Sequence, residues 1–271
     1  MWEDIEGVFN RALKFSFTRK KIFFLFPALV ICGIIIVVSH TFWINAHPWA
    51  QASLTFVPGF LCAGIFMTAA IPLIRLYHDE VKGKKLSVTQ TLKNSWSLMG
   101  GMASLVVPIL TAYLVLWFIL GLFYLLKNIP SVGEMLGVIL SFGPFLLVLG
   151  SFFISIITLL LLFFMTPIVA LKSTVKWELA EEVLYKIIEQ PFAHLVLLIL
   201  GLIPLVFVLV FLVLAAALTG MSLFVVDATW AISLQWFFIM IPFAALLSPV
   251  LTFFFNFAAE SYIFLQKRNK K

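Results

Sequence analysis

The sequence predicts an all-α polytopic membrane protein. It has six transmembrane helices in three hairpins, each hairpin preceded by a cytoplasmic interfacial amphipathic helix. Three observations predict this. Only 11% of the 271 residues are charged and 63% are apolar, whereas a soluble domain carries about 25% charged residues. Apolar runs of about twenty residues, long enough to cross a bilayer, recur along the whole chain. The cations, finally, fall between those runs on alternate sides only. No stretch is polar enough for a separate soluble unit, so residues 1–271 read as one integral membrane domain.

The chain opens with five cations, Arg11, Lys14, Arg19, Lys20 and Lys21, that stop at an apolar run beginning at Ile22. A signal peptide would have an apolar region of about 7–15 residues. This one continues to about Ile44, and "NAHPWAQA" after it offers no small-x-small cleavage site. The first segment therefore reads as a retained span. The six spans cover about 22–44, 53–76, 101–126, 143–171, 193–219 and 234–255. The apolar stretch before the fourth begins near Val132. Gly143-Pro144 predicts a break there, because proline cannot donate a helix hydrogen bond. Residues 132–142 then read as a short helix on the outer surface.

Six spans put every one of the 18 Lys and Arg except Lys127 on a single side. The positive-inside rule makes that side the cytoplasm, with both termini in it. An odd number of spans would divide the same charges. The outer connections are short and carry Trp43, Trp49, Trp230 and Trp236, as an interfacial aromatic belt does.

The opening stretch is amphipathic. Trp2, Ile5, Phe9 and Leu13 recur at helical spacing, with Glu3, Asp4, Glu6, Asn10, Arg11 and Lys14 opposite. Such a helix lies in the interface with its apolar face in the lipid boundary. "ALKFSF" at 12–17 returns as "TLKNSW" at 91–96, again just before a span. Ser87 to Gln90 there form a capping-box pattern, and Val88, Leu92 and Trp96 share a face. A third amphipathic segment, "KWELAEEVLYKIIEQP", precedes span five. Each of the three segments holds one anchoring tryptophan: Trp2, Trp96 and Trp177. Prolines repeat as well. Pro27 to Pro72 and Pro204 to Pro249 are both 45 residues, and the middle unit, Pro108 to Pro167, is longer at 59. Three parallel units, each an interfacial helix and a hairpin, account for the pattern.

Four stretches carry a resemblance: "ALKFSFTRKKIFFLF", "LYHDEVKGKKLSVTQTLKNSW", "TPIVALKSTVKWELAEEVL" and "AAESYIFLQKRNKK". They resemble a diffuse group of bacterial six-pass membrane proteins. The group includes the membrane domain attached to some glycerophosphodiester phosphodiesterases and related integral membrane families. The resemblance implies a six-helix fold, a cytoplasmic N-terminus and a bacterial inner membrane. It implies no catalytic residue, since the phosphodiesterase domain is absent here, and "Ser173-Thr-Val-Lys-Trp-Glu" departs from the group's usual small, glycine-containing turn.

The search for chemistry turns up no G-x-S-x-G, H-E-x-x-H, C-x-x-C or G-x-x-x-x-G-K. His40 and His47 fall near the outer face and His78 and His194 near the inner, which predicts no metal site and no cofactor. Cys32 and Cys62 read as small packing residues. Span six carries Ser248, Thr252, Asn256 and Glu260 at intervals of four. These spiral by about 40° per step on a helix. They read two ways: a polar track lining a pathway, or a stripe that glues helices together. In the first reading Glu260 is an ion or headgroup ligand; the repeat favours the second, because with Pro249 at the depth of Pro72 the span ends near Phe255 and Asn256 and Glu260 fall at the cytoplasmic interface. Gly59 with Ala63, Gly64 with Thr68, Ser151 with Ser155 and Ala216 with Gly220 are further small-residue pairs suited to close packing.

The expected function is a non-enzymatic inner-membrane protein that interacts with lipid or assists a membrane complex. Anionic headgroups of the cytoplasmic leaflet and a membrane-protein partner are the expected contacts, and no nucleic acid is. The alternative is a transporter or channel for a small solute or lipid, for which proline-broken spans argue.

Overall fold

The computed structural model describes residues 2–268 apart from 45, 47–49, 52–53, 85–86, 128, 130–141, 173–184, 186, 188–190 and 221–228. All secondary structure among these residues is helical. The helices are α1 (Trp2–Lys14), α2 (Arg19–Ile44), α3 (Val57–Val81), α4 (Val88–Lys127), α5 (Phe142–Leu160), α6 (Thr166–Lys172), α7 (Pro191–Gly220) and α8 (Thr229–Arg268). A π-helical turn, Leu161–Met165, joins α5 to α6. Among the described residues six helical stretches are long and apolar enough to cross a membrane, so the chain is an all-α multi-pass membrane protein.

Local chemistry sets several boundaries. After α1 the backbone turns over residues 15–18, with the Ser16 N–H on the Leu13 carbonyl and the Ser16 hydroxyl on the Ala12 carbonyl. The Thr18 carbonyl then accepts from the amides of Lys21 and Ile22 and starts α2. Pro58 sits in the first turn of α3, where its missing N–H costs nothing. At the other end of α3, Gly83 adopts φ +70°. Its amide bonds the Glu80 carbonyl while that of Lys84 bonds the Asp79 carbonyl, the paired closure that favours glycine at this position.

Three expectations change here. The second amphipathic segment is not a separate surface helix, because α4 runs unbroken from Val88 to Lys127 and includes both it and span three. Nor does the last helix end where the predicted span does, near Phe255. The helix α8 continues to Arg268 and buries Asn256 and Glu260. The apolar face of α1, lastly, does not meet lipid along Ile5, Val8 and Ala12, which are buried on α8. There Phe9 packs edge-on to Phe253 at 5.0 Å and Phe257 at 5.9 Å. A face that shields apolar area from water does so equally well against a helix or a bilayer. The short turn at 15–18 delivers this one to α8. The third segment falls almost wholly outside the described residues, as do the proposed outer helix from 132 and Trp177.

Span four contains an irregularity that the sequence only hinted at. Gly143-Pro144 lies in the first turn of α5, and the residues before Phe142, where the predicted break would show, are outside the described ones. The disturbance is at Pro167, which supplies no N–H to the Phe163 carbonyl and crowds it. The π turn over Leu161–Met165 widens the helix there. Thr166 donates its hydroxyl to the Leu162 carbonyl at 2.6 Å.

Packing is asymmetric along the membrane normal. At the end that carries the cations, α2, α3, α6, the π turn and α8 close on one another. They bury Leu73, Ile74, Phe163, Val169, Phe254, Phe255 and Phe257 almost completely. Toward the opposite end the helices present Phe118, Phe153, Phe207 and Leu218 outward, as surfaces facing acyl chains do. Contacts at that end include the Thr41–Ser233 hydroxyl pair at 2.7 Å and His40 against Trp236 at 4.7 Å.

Small residues matter unequally. A Cβ added at Gly201 would stand 2.9 Å from Phe163 and 3.1 Å from Phe257, whereas one at Gly59 would meet nothing within 4 Å. Gly201→Val should therefore destabilise the bundle by about 1–3 kcal/mol. Gly59→Ala should leave stability unchanged or slightly raised. Steric trapping in bicelles measures both, and an equal effect at the two sites would refute this packing.

Candidate functional site

The polar residues of span six converge with the cation-rich ends of α1, α2 and α3. All four predicted residues point into protein. Ser248 donates to the Ile22 carbonyl at 2.9 Å, and Thr252 donates back to the Ser248 carbonyl at 2.8 Å. The Asn256 amide nitrogen reaches the Ala12 carbonyl at 3.5 Å and the Ser16 hydroxyl at 3.4 Å. Glu260 accepts a hydrogen bond from the Tyr77 hydroxyl at 2.7 Å and lies 3.6 Å from the Arg11 guanidinium. Ser248, Thr252 and Asn256 are fully buried and Glu260 nearly so. The stripe runs down α8 against the start of α2, the end of α1 and the end of α3.

A second set of charges lies beside it. Lys21, in the first turn of α2, is 0% exposed. Its ammonium is 2.6 Å from Glu80 Oε2 on α3 and sits 5.1 Å over the Tyr77 ring. Glu80 Oε1 accepts from the Thr18 hydroxyl at 2.6 Å. Spacing explains the arrangement. Tyr77 and Glu80 are three apart on one face of α3, so one face presents a phenol toward α8 and a carboxylate toward α2. The result is a continuous run: Arg11, Glu260, Tyr77, Lys21, Glu80, Thr18. It contains two cations and two carboxylates, and so is formally neutral. Isolated charges at this depth would be costly, and pairing with added hydrogen bonds offsets that cost.

Arg75 makes a separate brace. Its Nε donates to the Ala170 carbonyl at 3.0 Å, and Nη1 donates to the Asn94 carbonyl at 3.0 Å and the Ser95 hydroxyl at 3.2 Å. The Ala170 carbonyl lies in the last described turn of α6 and accepts this bond there. One guanidinium thus joins α3 to α4 and α6.

Sequence reading singled out the α8 stripe but missed its partners. Lys21 and Arg75 counted only as topology cations, and Tyr77 and Glu80 carried no signal beyond their spacing of three. Of the tryptophan anchors, Trp96 is 71% exposed, Trp2 opens α1 and Trp177 is outside the described residues. The cysteines lie together. The Cys62 thiol points at the Cys32 carbonyl, 3.7 Å away, and both thiols are free. His194 packs edge-on to Phe164 at 5.0 Å. Among the described residues no three His, Cys, Asp or Glu side chains gather as metal ligands would.

Chemically, this arrangement holds helices together. Removing Glu80 as Glu80→Ala would leave a buried ammonium without its counter-ion and should cost about 3–5 kcal/mol. The double variant Lys21→Met with Glu80→Leu should recover most of that loss. A double-mutant cycle read by steric trapping tests this, and additive losses would contradict a paired site. Tyr77→Phe, which leaves Glu260 without its hydroxyl donor, should cost about 1–3 kcal/mol in the same assay.

No protein-family model matches the chain, and no curated protein or solved structure matches it either.

Proposed function

We propose that the chain is a non-enzymatic protein of a bacterial inner membrane that engages anionic lipid on the cytoplasmic leaflet, with both termini in the cytoplasm. The observation that carries this reading is a rim of exposed aromatics interleaved with exposed cations at the cation-rich end. Phe17, Phe23, Trp96 and Phe192 are 66%, 75%, 71% and 72% exposed. Arg19, Lys20, Lys93 and Lys172 lie among them and face outward. Aromatic rings at headgroup level and cations that reach phosphate are how a protein surface holds an anionic leaflet.

Proline in the spans and the π turn would also suit a transporter. The α8 stripe favours the first reading, because each of its polar side chains is spent on a protein group. A pathway would need those groups turned toward a passage. In reconstituted vesicles, Glu260→Gln is expected to alter lipid retention and leave solute flux unchanged. Loss of a flux would turn the assignment to transport.

Native mass spectrometry of protein released from nanodiscs of equal anionic and zwitterionic phospholipid tests the lipid reading. Adducts should be enriched in the anionic lipid. Replacing Arg19, Lys20, Lys93 and Lys172 by Gln should lower the enrichment by up to about fivefold per cation, since each is worth about 1 kcal/mol. Bare protein, or a stoichiometric protein partner in place of lipid, would contradict it, and the partner would make the chain an accessory subunit.

A further inference from the structure

We propose that α1 is a latch, exchanging between its berth on α8 and the bilayer surface, and that the Arg11–Glu260 pair and the Asn256 amide hold it in the berth. The argument begins with what docking gains. In water, burying Ile5, Val8, Phe9 and Ala12 on α8 would be strongly favourable. Beside a membrane it is not, because lipid is as apolar as the helix it would replace. The apolar face of α1 therefore has two nearly equivalent partners, and polar contacts decide between them.

The contacts that Arg11 and Asn256 make are weakly built. Arg11 is 52% exposed and 3.6 Å from Glu260, longer than a well-formed charged hydrogen bond. The Asn256 nitrogen makes bonds of 3.4 and 3.5 Å. Its Oδ1, fully buried beneath α1, finds no hydrogen-bond partner among the described residues. Docking thus leaves a buried acceptor unsatisfied, which opposes the berth. The charge pairs beneath do not depend on α1: Glu260 keeps the Tyr77 hydroxyl, and Lys21 keeps Glu80. The turn at 15–18 supplies the pivot.

The alternative berth also has chemistry in its favour. Arg11 and Lys14 lie in the last turn of α1, next to Arg19 and Lys20, so this end meets lipid phosphate while the acidic first turns point away. Phosphate would compete with Glu260 for Arg11. The inference rests on the lipid-binding reading only in taking a bilayer as the second partner.

The test uses spin labels on cysteines placed at exposed Gly7 in α1 and Gln266 in α8, with Cys32 and Cys62 replaced by Ala. A second pair at Phe42 and Leu234 reports the far end of the bundle. In zwitterionic nanodiscs the first pair should give one distance. Glu260→Gln with Ser16→Ala, which takes the hydroxyl partner from the Asn256 amide, or 50% phosphatidylglycerol without substitution, should add a longer distance and raise its share at least threefold. The Phe42–Leu234 distance should not move. A single unchanged distance in every lipid and in the double variant overturns the latch. Should the double variant disturb the far pair as well, the unsubstituted protein across the lipid series decides alone. If anionic lipid is enriched at the rim while α1 stays fixed, the latch fails and the lipid reading stands. If α1 moves in the double variant without lipid enrichment, the latch stands and the lipid reading fails.

Discussion

Burying the ammonium of Lys21 is the constraint on which the cation-rich end of this protein depends. A charge placed in the first turn of a membrane span must be matched or it destabilises the fold by several kcal/mol. Matching it requires Glu80 at 2.6 Å, hence a fixed register of α3 against α2. Glu80 in turn takes the Thr18 hydroxyl, which fixes the connector that leads to α1. Tyr77, one turn back on α3, stacks its ring under the same ammonium and gives its hydroxyl to Glu260 on α8. Helices far apart in sequence thereby share one neutral assembly, and the positions of their membrane-facing surfaces follow from it.

Apolar packing continues what the charges begin. The aromatic layer of Phe163, Phe254 and Phe257 fits against the bare backbone at Gly201. The π turn before Pro167 presents Phe163 and Phe164 to that layer while keeping α6 in line for Arg75. Away from this end the helices face outward into lipid along much of their length, and α7 packs chiefly on α8. A bundle tied at one end and open at the other would suit the lipid-engaging rim proposed above.

Much of this was legible from residues, for physical reasons. Span count is written in composition, because a bilayer imposes about twenty apolar residues per crossing. The amphipathic character of residues 2–14 was legible from its period, but not which surface would cover it, since the period reports an apolar face and not its partner. The fused helix from Val88 to Lys127 was hidden because the polar segment and the apolar span differ in character, and Gly100-Gly101 at their junction does not interrupt the helix. The stripe Ser248, Thr252, Asn256 and Glu260 stood out by spacing. Its partner Tyr77 lies 183 residues away, and no local pattern can name a contact at that separation.

The α8 stripe is therefore read as the inner face of a joint and not as the wall of a passage. Thiol accessibility tests this most directly. Single cysteines at Ser248, Thr252 and Asn256, in a chain with Cys32 and Cys62 replaced by Ala, would be exposed to a water-soluble maleimide in proteoliposomes. Exposed Gln266 serves as the positive control. The account predicts full labelling at 266 and none at 248 or 252, while 256 reacts only as far as α1 leaves its berth. Labelling along the three α8 positions would show water running beside them and would contradict it.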